Sequence, residues 1–398
     1  MGSELPADWN EARLGDCGRW LSGGTPSTKN PDFWGGDIPW ISGKSLTTHY
    51  LRDSDRRVTT LGVANGTRIA PQGSTLMVVR GMSLQTEFRS GIAMRELAFG
   101  QDCKAIIPRE GIEPRFLANA VRARAPEILG MVESSSHGTG RLATELIQAL
   151  RIGLPPMEEQ RAIAEVLGSL DDALELCWRS QRLIEQIAQA VAENGEQSGC
   201  VQLREVAELR RDSVQPAELL GRLWNYYSIP AFDEGHRPHI ALGDSIASAK
   251  FRITDEAVLV SKLNPAWHRV WLPDAEGSTE AICSTEFMPL FPLESFSAAS
   301  LWSAVLTRQF SRQLRERASG TSGSHQRVRP DDMLGCSVMD IRLLSAPQAA
   351  MLNLLAEDLR LLRLKRDALQ ATRDGLLPKL VSGELRIEDP ERLLDQVA

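Results

Sequence analysis

Apolar residues recur along two stretches of this chain in alternating steps of four and three. In the first, Ile163, Leu167, Leu170, Leu174, Cys177, Ile184, Ala188 and Val191 form the series, with polar Gln181 filling one gap. In the second, Leu352, Leu355, Leu359, Leu362, Leu369 and Leu376 do the same, broken by Arg366 and Arg373. A 3.5-residue period keeps one stripe facing a partner helix, so both stretches predict long coiled-coil helices. The first opens after Leu154-Pro155-Pro156 and ends in the polar linker Asn194-Gly195-Glu196-Gln197-Ser198-Gly199. The second runs from about Pro347 to Pro378. The two stripes pack most simply on each other, antiparallel, because a whole domain separates them.

The stretches before each helix lack that period. Short strand-like runs appear instead, at Asp37–Ser42 and Ser74–Arg80, then at Ala257–Leu263 and Arg269–Leu272. Gly23-Gly24, Gly35-Gly36 and Asn65-Gly66 mark turns between such runs. Residues 113–133 read as helix, with Pro114 suited to its first turn. The organisation is therefore globule, helix, globule, helix: residues 1–156, 157–197, 198–346 and 347–398, of α/β (α+β) class. A polar loop ending in arginine precedes each helix at a corresponding place. These loops are Ser134-Ser135-Ser136-His137-Gly138-Thr139-Gly140-Arg141 and Ser319-Gly320-Thr321-Ser322-Gly323-Ser324-His325-Gln326-Arg327. One plan repeated twice predicts a pseudo-twofold object, suited to a target with two separated halves.

Composition changes this picture little. The 398 residues suffice for two cores plus helices, and 42% hydrophobic with 24% charged content is ordinary for a globular protein. No apolar run approaches the roughly 18 residues needed to span a bilayer, and the N-terminus lacks signal-peptide character, which predicts a cytoplasmic protein. The six cysteines are scattered, which disfavours a disulfide framework or a zinc ribbon. Charge matters more. The net charge is −7, and residues 157–197 hold 9 acidic against 3 basic side chains. A solitary protein relying on phosphate neutralisation is expected to be more basic, so any DNA binding works from local patches or with a partner's charge.

Candidate chemistry is sparse. His236-Arg237-Pro238-His239 has a proline where a zinc-binding helix could not hold one, and it reads as a surface turn. Glu158-Glu159 and Asp171-Asp172 read as solvated charge near a helix start. Asn264-Pro265-Ala266-Trp267 approaches the motif by which amino-methyltransferases hold a base, but its second proline is missing and no glycine-rich cofactor loop accompanies it. No catalytic, cofactor or metal site is expected. Arginine is the stronger signal: Arg308, Arg312, Arg315, Arg317, Arg327 and Arg329 crowd one segment, and guanidinium groups pair bidentately with guanine or phosphate.

Several segments together resemble the specificity subunit of type I restriction–modification systems, over essentially the whole chain. They are Leu154–Ala164 followed by Leu170-Asp171, and Leu376-Leu377-Pro378-Lys379-Leu380-Val381-Ser382-Gly383-Glu384-Leu385. Leu5-Pro6-Ala7-Asp8-Trp9, Arg13–Asp16, Gly35–Ile41, Tyr227–Asp233 and Ser261–Pro265 add to them. At the second helix the chain departs from the family pattern, with Ser345-Ala346-Pro347-Gln348 where a Pro-Pro and a Glu-Gln pair are usual.

The resemblance implies two target recognition domains, each reading half of a bipartite double-stranded DNA site, with two long antiparallel helices as spacer. It implies docking of two modification subunits, which carry S-adenosylmethionine, and of restriction subunits. The chain itself would not be a catalyst. Expected DNA-facing residues are Lys44, Arg80, His137 and Arg141 in the first globule and Lys262, His325, Arg327 and Arg329 in the second. Leu167, Leu170, Leu174, Leu355, Leu359 and Leu362 are expected to carry the helix pair and, through it, partner docking. Two other readings stay open: a self-sufficient methyltransferase or restriction-enzyme fragment, separable by methyl-donor binding, and a coiled-coil scaffold without DNA specificity, separable by a footprint.

Overall fold

The computed structural model describes residues 5–134, 139–274, 280–293, 296–320 and 326–387. The chain divides into two compact units, Met1–Glu175 with Ala368–Ala398, and Leu176–Asp367. Each unit therefore holds one globule and part of both long helices, which run Met157–Gly195 and Ala346–Ser382.

In the first unit a five-stranded sheet is ordered Gly18–Ser22, Cys103–Pro108, Thr75–Val78, Ser90–Ala93 and Tyr50–Leu51. Its central strand, Thr75–Val78, is buried at every position, as a strand covered on both faces must be. A four-stranded sheet built on Trp34–Ile41 lies in the same unit. The helix expected over 113–133 is two helices, Pro114–Ala123 and Ala125–Gly130, because Pro126 has no N–H for the Arg122 carbonyl and its ring clashes there, while it suits the first turn of a new helix. Asn10–Arg13 pairs antiparallel with Arg151–Leu154, which joins the start of the globule to its end just before the first long helix.

The second unit repeats that closure: Cys200–Gln202 pairs antiparallel with Ser337–Met339 ahead of the second long helix. Its sheets are ordered Ser213–Val214, Lys250–Ile253, Ala281–Cys283, Leu223–Tyr227, His239–Leu242, and Ala207–Leu209, Phe287–Pro292, Val258–Ser261, Val270–Trp271. Trp302 and Phe310, from two short helices, fill the core with Leu290 and Val260.

The helix seams are buried largely as their period requires. Leu167 is 0% exposed, and Leu170, Leu174 and Leu359 are also buried. Leu355 and Leu362 are half-buried, and Arg363 is buried in their neighbourhood instead. The gaps in the stripes are filled by polar networks. In the first unit, buried Asp171 accepts hydrogen bonds from Arg122 (3.0 Å) and Arg373 (3.3 Å). In the second, Arg366 donates to the Gly235 carbonyl (2.6 Å) and stacks on Trp178, while Gln181 contacts His236 Nδ1 at 2.7 Å. Within each unit the helix segments run antiparallel, since Asp171 meets Arg373 while Glu159 meets Arg386, which follows the second helix, and Gln181 meets Arg366 while Glu185 faces Arg363.

Three expectations need correction. Asp171 is not solvated charge; a buried carboxylate survives only when paired, and two arginines pair it. Glu159 is not solvated either: it accepts from Trp9 Nε1 (3.0 Å) and from Arg386. Arg386 also pairs with Asp8, so the N-terminal segment, the first helix start and the stretch after the second helix meet in one unit. The second long helix does not stop at Pro378. It continues to Ser382 because Leu377, Leu380 and Val381 are buried in the first unit's core, which offsets the roughly 3 kcal/mol cost of an internal proline.

Candidate nucleic-acid interface

The described ends of both repeated polar loops pair as the arms of hairpins, and both are held in the same way. In the first unit Glu133–Ser134 pairs with Gly140–Arg141, and Gly140–Arg141 pairs in turn with Arg80–Gly81. Leu142 N–H donates to the Val79 carbonyl at 2.9 Å. In the second unit Arg327 bridges antiparallel to both Ser319 and Leu263, and Val328 N–H donates to the Lys262 carbonyl at 3.0 Å. Arg141 and Arg327 are thus equivalent, each the middle member of a three-element row.

The rows stand where buried strands emerge. Thr75–Val78 and Val258–Ser261 are each buried throughout, and the chain leaves the core at Arg80 and at Lys262. Gly140 is required for the close approach, since a Cβ there would lie 2.7 Å from the Leu84 Cβ. Gly81, at φ +154°, turns the chain away and leaves Met82 exposed. On the other side Asn264 adopts φ 47° and donates its backbone N–H to the Gln326 carbonyl at 2.9 Å. The Asn264–Trp267 segment is therefore a turn fastened to the hairpin, with Trp267 exposed.

Of the sequence-predicted residues, Arg80 and Arg141 are brought directly opposite each other. Side chains at opposed positions share a face, where like charges repel. An anion between them would relieve that repulsion. The turn bearing exposed Lys44 lies against the same strand end, since a Cβ on Gly43 would lie 3.8 Å from the Arg80 carbonyl oxygen. Among the described residues, the side chains of Lys44, Arg80 and Arg141 make no hydrogen bond or ion pair. Lys262 and Arg329 are likewise unpaired among the described residues, and Arg329 is exposed just before the helix Pro330–Leu334. Arg327 differs: it makes a two-pronged pair with Glu286, both contacts at 3.1 Å, and that carboxylate raises its pKa. Such an exposed pair contributes little, so a phosphate could displace it. His137 and His325 lie outside the described residues.

The expected leucines Leu167, Leu170, Leu174 and Leu359 face inward, so their part in docking can only be to hold the helices. The exposed apolar side chains of those helices are others, among them Leu176, Leu183, Leu354, Leu361 and Leu364. Sequence reading passed over them because they fall outside the main stripes. Among the described residues no group of three or more His, Cys, Asp or Glu could hold a metal, and no helix is long and apolar enough to cross a membrane.

The resemblance read from the motifs is borne out. Residues 6–186 match the family profile described as the type I restriction modification DNA specificity domain. The chain is 30% identical over 195 residues to the type I restriction enzyme MjaIX specificity subunit of Methanocaldococcus jannaschii, covering 48% of this chain and 44% of that protein. It is 30% identical over 160 residues to the EcoR124I/EcoR124II specificity subunit of Escherichia coli, covering 40% of each. The matched portion thus spans less than half the length of these curated relatives. In fold, the chain is similar to the S subunit of the type I restriction–modification system from M. genitalium, with a TM-score of 0.55, 13% identity, and coverage of 96% of this chain and 99% of that one.

Proposed function

From the likeness of residues 6–186 to a type I restriction modification DNA specificity domain, we propose that the whole chain is the DNA sequence-specificity subunit of a type I restriction–modification complex. Each globule, residues 1–156 and residues 198–346, acts as a target recognition domain for one half of a bipartite duplex site. The helical segments 157–197 and 347–398 form the antiparallel spacer of a pseudo-twofold reader. The observation that carries this is the recurrence of one hairpin row, with an arginine at its centre, in both units. A reader of two half-sites needs the same presentation twice and different side chains upon it, because base contacts are local to the globule that makes them.

The chain does no chemistry itself in this reading. Two modification subunits bring S-adenosylmethionine, and restriction subunits complete the assembly. Leu176, Leu183, Leu354 and Leu361 offer such partners an apolar surface on the helices. Partner surface also answers the charge problem, since a chain of net charge −7 gains from cationic surface closing round the duplex. The test replaces residues 201–345 with the matching segment of a relative and maps methylated adenines in cellular DNA. The expected outcome is a changed sequence in one half of the site only; changes in both halves would overturn the assignment of two independent readers.

A further inference from the structure

The second unit carries a basic surface apart from its hairpin row. Arg308, Arg312 and Arg315 lie on the helix Arg308–Glu316. Steps of four and three at 100° per residue place all three on one face, spread over about 10 Å of axis. They border a cavity of about 380 Å³ whose wall includes Gln189, Ser311 and His268. Arg312 and Arg315 make no ion pair among the described residues, and Arg308, its side chain 83% exposed, reaches Glu193 only at 3.7 Å. Arg317, one turn on, behaves differently and turns inward to Gln313 and the Cys336 Sγ.

The cavity wall supplies a second observation. His268 Nε2 is buried and, among the described residues, has no hydrogen-bond partner. Burial, more than any neighbouring charge, holds this imidazole largely neutral, with its pKa lowered to about 4. The other ring nitrogen is bonded to the Val305 backbone, so the neutral ring leaves Nε2 as an acceptor, which a water held by a bound phosphate could satisfy. The corresponding helix of the first unit, Ala125–Gly130, carries no arginine, so this surface belongs to one unit only.

We propose that the face formed by Arg308, Arg312 and Arg315, with its adjoining cavity, is a phosphate-binding site that grips the backbone of the DNA duplex beyond the bases read from the hairpin row. The proposal rests on the DNA-reading function above. Charges of a duplex succeed one another every 1.7 Å along its axis, so about 10 Å of arginine face can meet several phosphates. Backbone contacts of this kind fix register and orientation and carry no sequence information.

The test compares the full chain with R312Q/R315Q and with R312K/R315K. Fluorescence anisotropy follows binding of short duplexes of several sequences as a function of salt, and calorimetry follows binding of inorganic pyrophosphate. Far-ultraviolet circular dichroism checks folding, which these exposed substitutions should leave intact. The expected result is that R312Q/R315Q weakens binding equally on every sequence and lowers the salt slope by about 2, while the lysine pair retains most of the slope. Unchanged duplex binding with lost pyrophosphate binding would overturn the backbone assignment in favour of a free phosphate compound. Parent-like behaviour toward both ligands would overturn the site. A parent chain that binds no duplex yet loses pyrophosphate in the variant would fault the DNA-reading function and not the anion site.

Discussion

In the unit holding Arg141, the hairpin row runs Glu133, Arg141, Arg80; in the unit holding Arg327, it runs Ser319, Arg327, Leu263. The backbone frame is shared and the charge is not. The first unit sets two cations side by side at the row itself, with no ion pair among the described residues. The second neutralises its central arginine with Glu286 and carries three arginines on a separate helix face. The helix segments show the same contrast. The first unit fills its gap with Asp171 paired to arginines, and the second with uncharged Gln181 beneath Arg366. Even the helix starts diverge: Gln160 is buried and accepts the Glu113 N–H at 2.9 Å, whereas Gln348 caps its own helix by accepting from Ser345. One frame can thus be kept while its side chains are exchanged, which is what two readers of different half-sites require.

The contrast at the helix gaps can be broken by mutation, with the largest effect in the first unit. Asp171→Ala leaves half-buried Arg122 without its carboxylate and Arg373 with Asp374 alone, and is expected to cost about 3 kcal/mol. Gln181→Ala removes an uncharged partner and is expected to cost about 1–2 kcal/mol. Urea denaturation of both variants measures the difference, and equal losses would contradict the view that only the first unit's gap depends on a buried carboxylate. Leu359→Ala, at a fully buried seam position, should cost about 2–5 kcal/mol, whereas Leu361→Ala on the exposed side should change stability by less than about 0.5 kcal/mol.

Histidines in both networks, His49 with Nε2 3.8 Å from Asp171 and His236 beside Gln181, predict a smaller, pH-dependent effect. Burial, then Arg122, lowers the pKa of His49 to about 4; burial, then Arg363, lowers that of His236 to about 3. Both lie below the ordinary value of 6.5, so the unfolded chain binds more protons between those values. Stability is therefore complete above pH 6.5 and declines as pH falls toward 4. His49→Gln should flatten that decline for the first unit. An unchanged pH profile of the denaturation midpoint would show that His49 is not held neutral.

The sequence made the helices and the reading loops legible for different reasons. The seam through Leu167 and Leu170 follows from a period that survives any tertiary context. Arg141 and Arg327 stood out because two loops repeat, and Arg80 because a hydrophobic run stops there. The Glu286–Arg327 pair and the Asp171 network were illegible, since each joins segments far apart in sequence whose proximity only the fold creates. The closing strands Asn10–Arg13 and Cys200–Gln202 were missed because three or four residues carry too little alternation to register.

The effects that bear most directly on function are on DNA binding and leave stability unchanged. Arg80→Ala or Arg141→Ala is expected to cost about 1–3 kcal/mol of DNA binding if the lost contact is to a base. Arg327→Ala should cost less, since Arg327 must give up its existing pair with Glu286 before it can contact DNA. The central claim is that each hairpin row serves one half-site. It is tested most directly by mapping methylated adenines, at single-base resolution, in cells carrying the R80A/R141A variant or the K262A/R327A variant with the modification subunit. The account predicts relaxed sequence preference confined to one half of the site for the first variant and to the other half for the second. Relaxation of the same half by both variants, or of both halves by either, would contradict it.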